Sequence, residues 1–139
     1  MGKRGGNKPG LWLKDMDYYS QSRGPIIFLE NDKDNLGEIH ISSLYYNSYS
    51  CDTWYRTYRL NGLYSRFTGA FYWRYAFRNR DNICNSLKVY ADKELVFNAE
   101  INNNSAPVLF NIPLAGVLEL KIEAETDVCS AIGDCGFWQ

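Results

Sequence analysis

Three observations predict an all-β fold, a two-sheet antiparallel β-sandwich of jelly-roll type, for this 139-residue sequence. Aromatic residues reach 16%, and Tyr, Trp and Phe suit the half-buried, pleated surface of a strand. Clusters of Asn, Ser, Gly and Pro break the chain about every eight to twelve residues, the spacing of short strands. No segment of any length carries the helical period, and nothing recurs at a fixed spacing.

The elements follow in order. The basic, Gly-rich start "MGKRGGNKPG" reads as a flexible tail or cloning remnant over residues 1–10, ahead of one module over 11–139. "LWLKDMDYYSQSRG" lacks a clean period and is anchored by Leu11, Trp12 and Leu13. "IIFLE" is a short run of β-formers, "ENDKDNLGE" a polar turn cluster, and "EIHISSLYY" alternates Ile39, Ile41, Ser43 and Tyr45 against His40, Ser42, Leu44 and Tyr46. "TWYRTYRL" and "LYSRFTG" flank Asn61-Gly62, the dipeptide suited to a two-residue hairpin because both positions need positive φ. In the first arm Trp54, Arg56, Tyr58 and Leu60 share one side. "SLKVY" and "LVFNAEI" make a second strand pair across "ADKE". "PVLFNIPL" and "VLELKIEAET" make a third across Ala115-Gly116, the last strand alternating Leu118, Leu120, Ile122 and Ala124 against charged residues.

Composition excludes several classes. Hydrophobic residues at 45% and charged residues at 22% fit a globular domain and not a disordered chain. No apolar run approaches the ~20 residues of a membrane helix. The four cysteines, Cys51, Cys84, Cys129 and Cys135, lack Cys-x-x-Cys spacing, and the single histidine completes no common zinc set. They can form two disulfides, with the short Cys129 to Cys135 gap suited to a loop, or remain buried thiols. The net charge is −1, yet residues 53–80 hold six arginines and no acid while residues 90–139 hold eight acids against two lysines. Either the two halves neutralise one another or two faces differ in sign.

"YRLNGLYSRFTGAFYW" resembles the Y-x-L-x-G-x-Y-x-x-F-x-G segment of NPCBM domains, the group that includes carbohydrate-binding module family 51. Its positions fall on Tyr58, Leu60, Gly62, Tyr64, Phe67 and Gly69. "SLKVYADKELVFN" is similar to that family's hydrophobic-x-V-x-x-D-G hairpin, with Lys93 at the turn position where Gly is common. "VLFNIPLAGVLELKIEAET" is similar to its last strand pair, with Gly116 and Leu120 in place. The resemblance covers residues 11–139. In "YYNSYSCDTWYRTY" the family's usual Gly and His have no counterpart. The resemblance implies a non-catalytic β-sandwich module of a larger bacterial protein, extracellular or at the cell surface, binding galactose-type or related glycans through loops at one end. It also implies neighbouring domains as partners and, in some members, a calcium ion. This chain shows no signal peptide, which leaves an intracellular location open.

Sugar recognition needs a flat aromatic for the C–H face of a pyranose and planar polar groups that grip hydroxyls in pairs. Two loop-like stretches offer both: "YYNSYSCD", with Tyr46, Tyr49 and Asp52, and "FYWRYAFRNRD", with Trp73, Arg74, Arg78 and Asp81. These seven are the candidate ligand-binding residues, while Trp54, Tyr58, Phe71 and Phe77 are expected in the core. "NDKDNLGE" suggests calcium through Asp32, Asp34 and Gly37. However, Leu36 occupies a ligand place of the EF-hand pattern and Ser43 replaces its closing Glu, as in a solvated turn. His40 alternates with apolar residues as a structural histidine does, Cys51-Asp52 has no nearby base, and catalysis has no other support. The dense arginines and aromatics invite nucleic acid, but a pI near 5.8 and arginines on both strand faces argue against it. The alternative reading is the same sandwich without a sugar site, serving as a protein-interaction or spacer domain.

Overall fold

Alternating β-formers bury one face of a strand and leave the other wet, so two sheets must stack to enclose a core. The computed structural model, which describes residues 9–81 and 84–139, shows this arrangement. The strands are β1 (Leu11–Trp12), β2 (Ser20–Gln21), β3 (Ile26–Lys33), β4 (Ile39–Tyr46), β5 (Asp52–Arg59), β6 (Arg66–Trp73), β7 (Ser86–Ala91), β8 (Glu94–Glu100), β9 (Val108–Pro113), β10 (Glu119–Thr126) and β11 (Ser130–Trp138), with 3-10 turns at Leu13–Asp15 and Tyr75–Phe77. The first sheet runs β3-β4-β11-β6-β9, with β1 also pairing β11, and the second runs β2-β5-β10-β7-β8. All pairings are antiparallel. Between the sheets lie Leu44, Trp54, Tyr58, Phe67, Phe71, Trp73, Phe110, Leu120, Ile122 and Phe137.

Two expected hairpins are not hairpins. Asn61 and Gly62 do take positive φ, at 54° and 71°, and Leu63 N–H closes the turn on Leu60 O. Yet β5 belongs to the second sheet and β6 to the first. The turn is stitched to the neighbouring loop, with Leu60 and Asn61 N–H donating to Leu118 O and Gly62 N–H to Val117 O. The loop at Ala115-Gly116 likewise crosses between sheets, from β9 to β10. The β3/β4 pair is a hairpin, and so, as expected, is β7/β8, which turns through Asp92 and Lys93, both at positive φ. The polar cluster after "IIFLE" begins inside β3, which continues to Lys33.

β11 lies at the centre of the first sheet although two glycines and Asp134 interrupt any alternation. Its register shifts between Gly133 and Gly136, and Asp134 there has a φ of 55°, the geometry of a β-bulge that re-aims a side chain. Of the expected tail, residues 1–8 lie outside the described residues. Pro9 sits so close over Gly136 that a Cβ there would meet it at 2.4 Å.

Part of the outer face of the first sheet is covered by its own hairpin, while Leu109 of β9 stays exposed. Asp34 bridges to Arg74, Asn35 N–H donates to Trp73 O, and the Asn35 amide donates to Asn103 O and Ser105 O. The tip of β3/β4 thus reaches across β11 to β6. Beneath it Tyr72, Tyr45, Ala131 and Leu29 form a small second apolar cluster.

Candidate functional site

The strand registers gather one set of loops at one end of the sandwich. Ile26 opposes Tyr46, Trp73 opposes Ser130, Val108 opposes Phe71, Asp52 opposes Thr126, and Ser86 opposes both Glu125 and Glu100. The segments that follow Tyr46, Trp73, Glu100 and Thr126 therefore meet at that end. All seven candidate residues belong to it, and a disulfide between Cys51 and Cys84, Cα–Cα 6.2 Å, ties the β4–β5 loop to the β6–β7 loop. Cys129 and Cys135 are buried free thiols, so the expected small loop between them is not closed. Burial, and for Cys129 also the adjacent Asp127 carboxylate, pushes both thiols up, Cys129 to about 12.

Two of the seven do not face solvent. Trp73 is 0% exposed: β6 continues four residues past Gly69 and places it on the inward face with Phe67 and Phe71. Its indole N–H donates to Phe77 O at 2.8 Å, which holds the 3-10 turn against the sheet. Tyr46 is buried and stacks on Trp54 at 6.5 Å, with its hydroxyl donating to Asp52 Oδ2 at 3.2 Å. Neither offers a face to a sugar, and the expectation for both is corrected: Trp73 builds the core, and Tyr46 orients Asp52.

Arg74 is the anchor of the end. Its Nε donates to Asp32 Oδ2 at 3.0 Å and Nη1 to Val128 O at 3.0 Å, while the guanidinium lies over Tyr45 and Phe77. With these partners it fixes the start of the β6–β7 loop and has little left for a ligand. Tyr49, by contrast, is 67% exposed, and its ring meets the edge of Phe77 at 6.1 Å. Arg80 lies 5.4 Å from the Tyr49 ring centroid, and Arg78 lies 3.9 Å over Tyr75 while donating to Tyr75 O. Asn103, from the β8–β9 loop, donates to Arg78 O. Asp52, Arg78 and Asp81 are exposed. The structure thus brings Tyr49, Asp52, Arg78 and Asp81 to one rim and adds Tyr75, Arg80 and Asn103. Tyr75 and Arg80 stand in the quoted arginine-aromatic stretch; Asn103 lies in the remote "INNNS" run, where nothing local marks it.

In the "NDKDNLGE" turn both candidate calcium carboxylates have protein partners. Asp34 Oδ1 accepts the Leu36 and Glu38 N–H groups and its Oδ2 meets His40, while Asp32 is held by Tyr72 and Arg74. Both carboxylates are committed, and among the described residues no group of three His, Cys, Asp or Glu side chains gathers as a metal site would. His40 is buried, stacked on Tyr72 at 4.1 Å and 8° and held between Asp34 (Nε2, 2.8 Å) and Asp134 (Nδ1, 2.9 Å). Asp134 Oδ1 also accepts Ile41 N–H. The bulge in β11 thus fastens the folded-over hairpin.

No family model matches the sequence, and no curated protein does. Several solved structures are similar to it. The CBM51-2 and INT domains of ZmpB from Clostridium perfringens align with a TM-score of 0.71 at 15% identity, over 91% of this chain and 31% of that one. That CBM51-2 domain has also been solved with GlcNAc. The CBM51 from C. perfringens GH95, in complex with methyl-galactose, aligns with a TM-score of 0.68 at 19% identity, over 91% of this chain and 98% of that one. The tandem CBM51 modules of Sp3GH98, a family 98 glycoside hydrolase from Streptococcus pneumoniae SP3-BS71, give 0.66 at 10%, over 91% and 46%. The chain therefore spans about a third of the ZmpB structure it matches first. Among the described residues no helix is long and apolar enough to cross a membrane. The sandwich described above, over nine-tenths of the chain, has the fold of the CBM51 carbohydrate-binding modules.

Proposed function

We propose that this chain is a non-catalytic glycan-binding module of a larger extracellular bacterial protein, with galactose-type or related sugars as its ligands. The observation that carries the reading is the exposed Tyr49 ring, set in a disulfide-pinned rim with Asp52, Arg78, Arg80 and Asp81. The fold is one whose solved examples include complexes with GlcNAc and methyl-galactose. In this site Tyr49 stacks on the sugar's C–H face, the arginines donate forked N–H groups to hydroxyl pairs, and Asp52 accepts from a hydroxyl, its lone pairs oriented by Tyr46. Neighbouring domains of the parent protein are its other partners.

Titration calorimetry with methyl-galactoside and GlcNAc tests the reading. Binding in the millimolar range or tighter is expected, weakened by about 1–3 kcal/mol in Tyr49→Ala and unchanged in Leu109→Ser, on an edge strand of the first sheet. Absence of heat from every sugar at millimolar ligand, with the fold intact, would leave the spacer or protein-interaction role.

A further inference from the structure

We propose a second saccharide subsite, for a carboxylate-bearing sugar of the uronate or sialate class, in the open edge between the two sheets around Arg56. Arg56 shares the inward side of β5 with Trp54 and Tyr58 and is only 8% exposed. Its Nε donates to Gln21 Oε1 at 2.7 Å, and its guanidinium lies 4.4 Å from the Tyr18 ring and 5.8 Å from that of Phe28. Among the described residues no carboxylate forms an ion pair with it. A cation taken this far out of water is costly to hold without a counter-charge, and π faces, one amide oxygen and the neighbouring Tyr58 hydroxyl offset that only in part. The site is a charge waiting for its anion.

The surroundings supply the rest of a sugar site. Arg56 lines a cleft of about 670 Å³ with Lys14, Met16, Asp17, Tyr18 and Phe28. A second hollow of about 480 Å³ continues past Asp17 and Tyr18 to Tyr19 and Arg59, and Arg59 stacks 4.0 Å over Tyr19. Tyr18 and Tyr19 are 45% and 53% exposed, flat faces at the mouth of the cleft. Lys14 and Asp15 pair with each other at 3.9 Å, which leaves Arg56 and Arg59 against Asp17. One carboxylate and several hydroxyls match that set: the carboxylate forks onto Arg56, Asp17 accepts from a hydroxyl, and a tyrosine takes the ring face. An acidic peptide would bring further carboxylates against Asp15 and Asp17 with no hydroxyls to offer Asp17. The cleft lies along the β2–β5 edge, apart from the Tyr49 rim, and stands independently of the reading given above.

The test is an amide NMR titration of the whole chain with methyl glucuronide, the methyl glycoside of N-acetylneuraminic acid, uncharged methyl glucoside, and a glutamate-rich tetrapeptide. At least one acidic sugar is expected to shift the amides of Tyr18, Tyr19 and Arg56, binding about tenfold or more tighter than the glucoside and the peptide. Arg56→Gln should abolish the preference for the acid, and Tyr18→Ala should weaken the acidic sugar about tenfold while leaving the folded spectrum intact; should Arg56→Gln fail to fold, Tyr18→Ala decides. Equal binding of the glucoside or peptide, shifts confined to Tyr49 and Arg78, or no shift at about 50 mM acid would overturn the subsite. Shifts at Tyr49 and Arg78 with galactoside in the same samples report on the rim separately.

Discussion

His40 is held by two carboxylates on the outer face of the first sheet, and opposing forces act on its proton. Burial works to lower its pKa, but the hydrogen bonds and charges of Asp134 and Asp34 outweigh burial and raise it above 6.5. A raised folded-state pKa contributes stability that is fully present below about 6.5 and is lost as pH rises through the folded value. Wild type should therefore exceed His40→Gln in melting temperature by most at about pH 6. The gap should shrink steadily on the alkaline side, as thermal melts across that range would show. Beside it, Gly133 leaves room for the same network: a Cβ there would fall 2.7 Å from the Tyr72 ring and 3.0 Å from His40. Gly133→Ala should destabilise by about 1–3 kcal/mol, measured by urea unfolding. Sequence alternation marked His40 as structural, and the fold buries it between Asp34 and Asp134. It misplaced Trp73 because it ended the strand at Gly69; the same alternation run on to residue 73 puts Trp73 beside Phe71, already expected in the core.

At the scale of elements, the turns were legible and their connections were not. Asn61-Gly62 adopts the left-handed backbone its composition suggests, and Asp92-Lys93 adopts it too although Lys93 stands where Gly is common. That chemistry is local, whereas the sheet a strand joins is decided by distant partners, here the carbonyls of Val117 and Leu118 that bind the Asn61-Gly62 turn. β11 escaped notice for a related reason. A strand walled by β4 and β6 needs no alternation, and its glycines admit the neighbours that fasten the hairpin and the N-terminal segment. The Cys51–Cys84 bond closes a separation of 33 residues. Serine at both positions should lower stability by about 3 to 4 kcal/mol. It should also weaken sugar binding at the rim, since the β4–β5 and β6–β7 loops would no longer be held together. Urea midpoints and calorimetry on the double variant measure the two effects separately.

Over the whole molecule, the fold class and the end that gathers the loops were readable from composition, turn spacing and the family resemblance. The lateral cleft was not, because it needs Phe28 of one sheet and Arg56 of the other to face a common gap. The arginines are distributed accordingly: Arg74 braces the loop end, Arg78 and Arg80 line its rim, and Arg56 and Arg59 sit along the edge. The acids of β10 stand on the outer side of the second sheet with Lys121 bonded to Glu123. The described ion pairs join neither charged half to the other: Arg74 pairs with Asp32, and Lys121 with Glu123. A core joined across both sheets should unfold as one unit: Phe137→Ala is expected to cost about 3–5 kcal/mol. Cys129 and Cys135, both buried, should react with a thiol reagent only after that transition, with thiol titration and circular dichroism tracing one curve.

β1 lies antiparallel on β11, with Leu11 opposite Phe137 and Trp12 opposite Gly136. A pull applied to the two ends of the fold therefore opens that pair like a zipper, one rung after another, instead of loading all its hydrogen bonds together in shear. The first yield under tension is thus a short, soft extension at the pole away from Tyr49. At the far pole the Cys51–Cys84 bond keeps the β4–β5 and β6–β7 loops together while that slack is taken up.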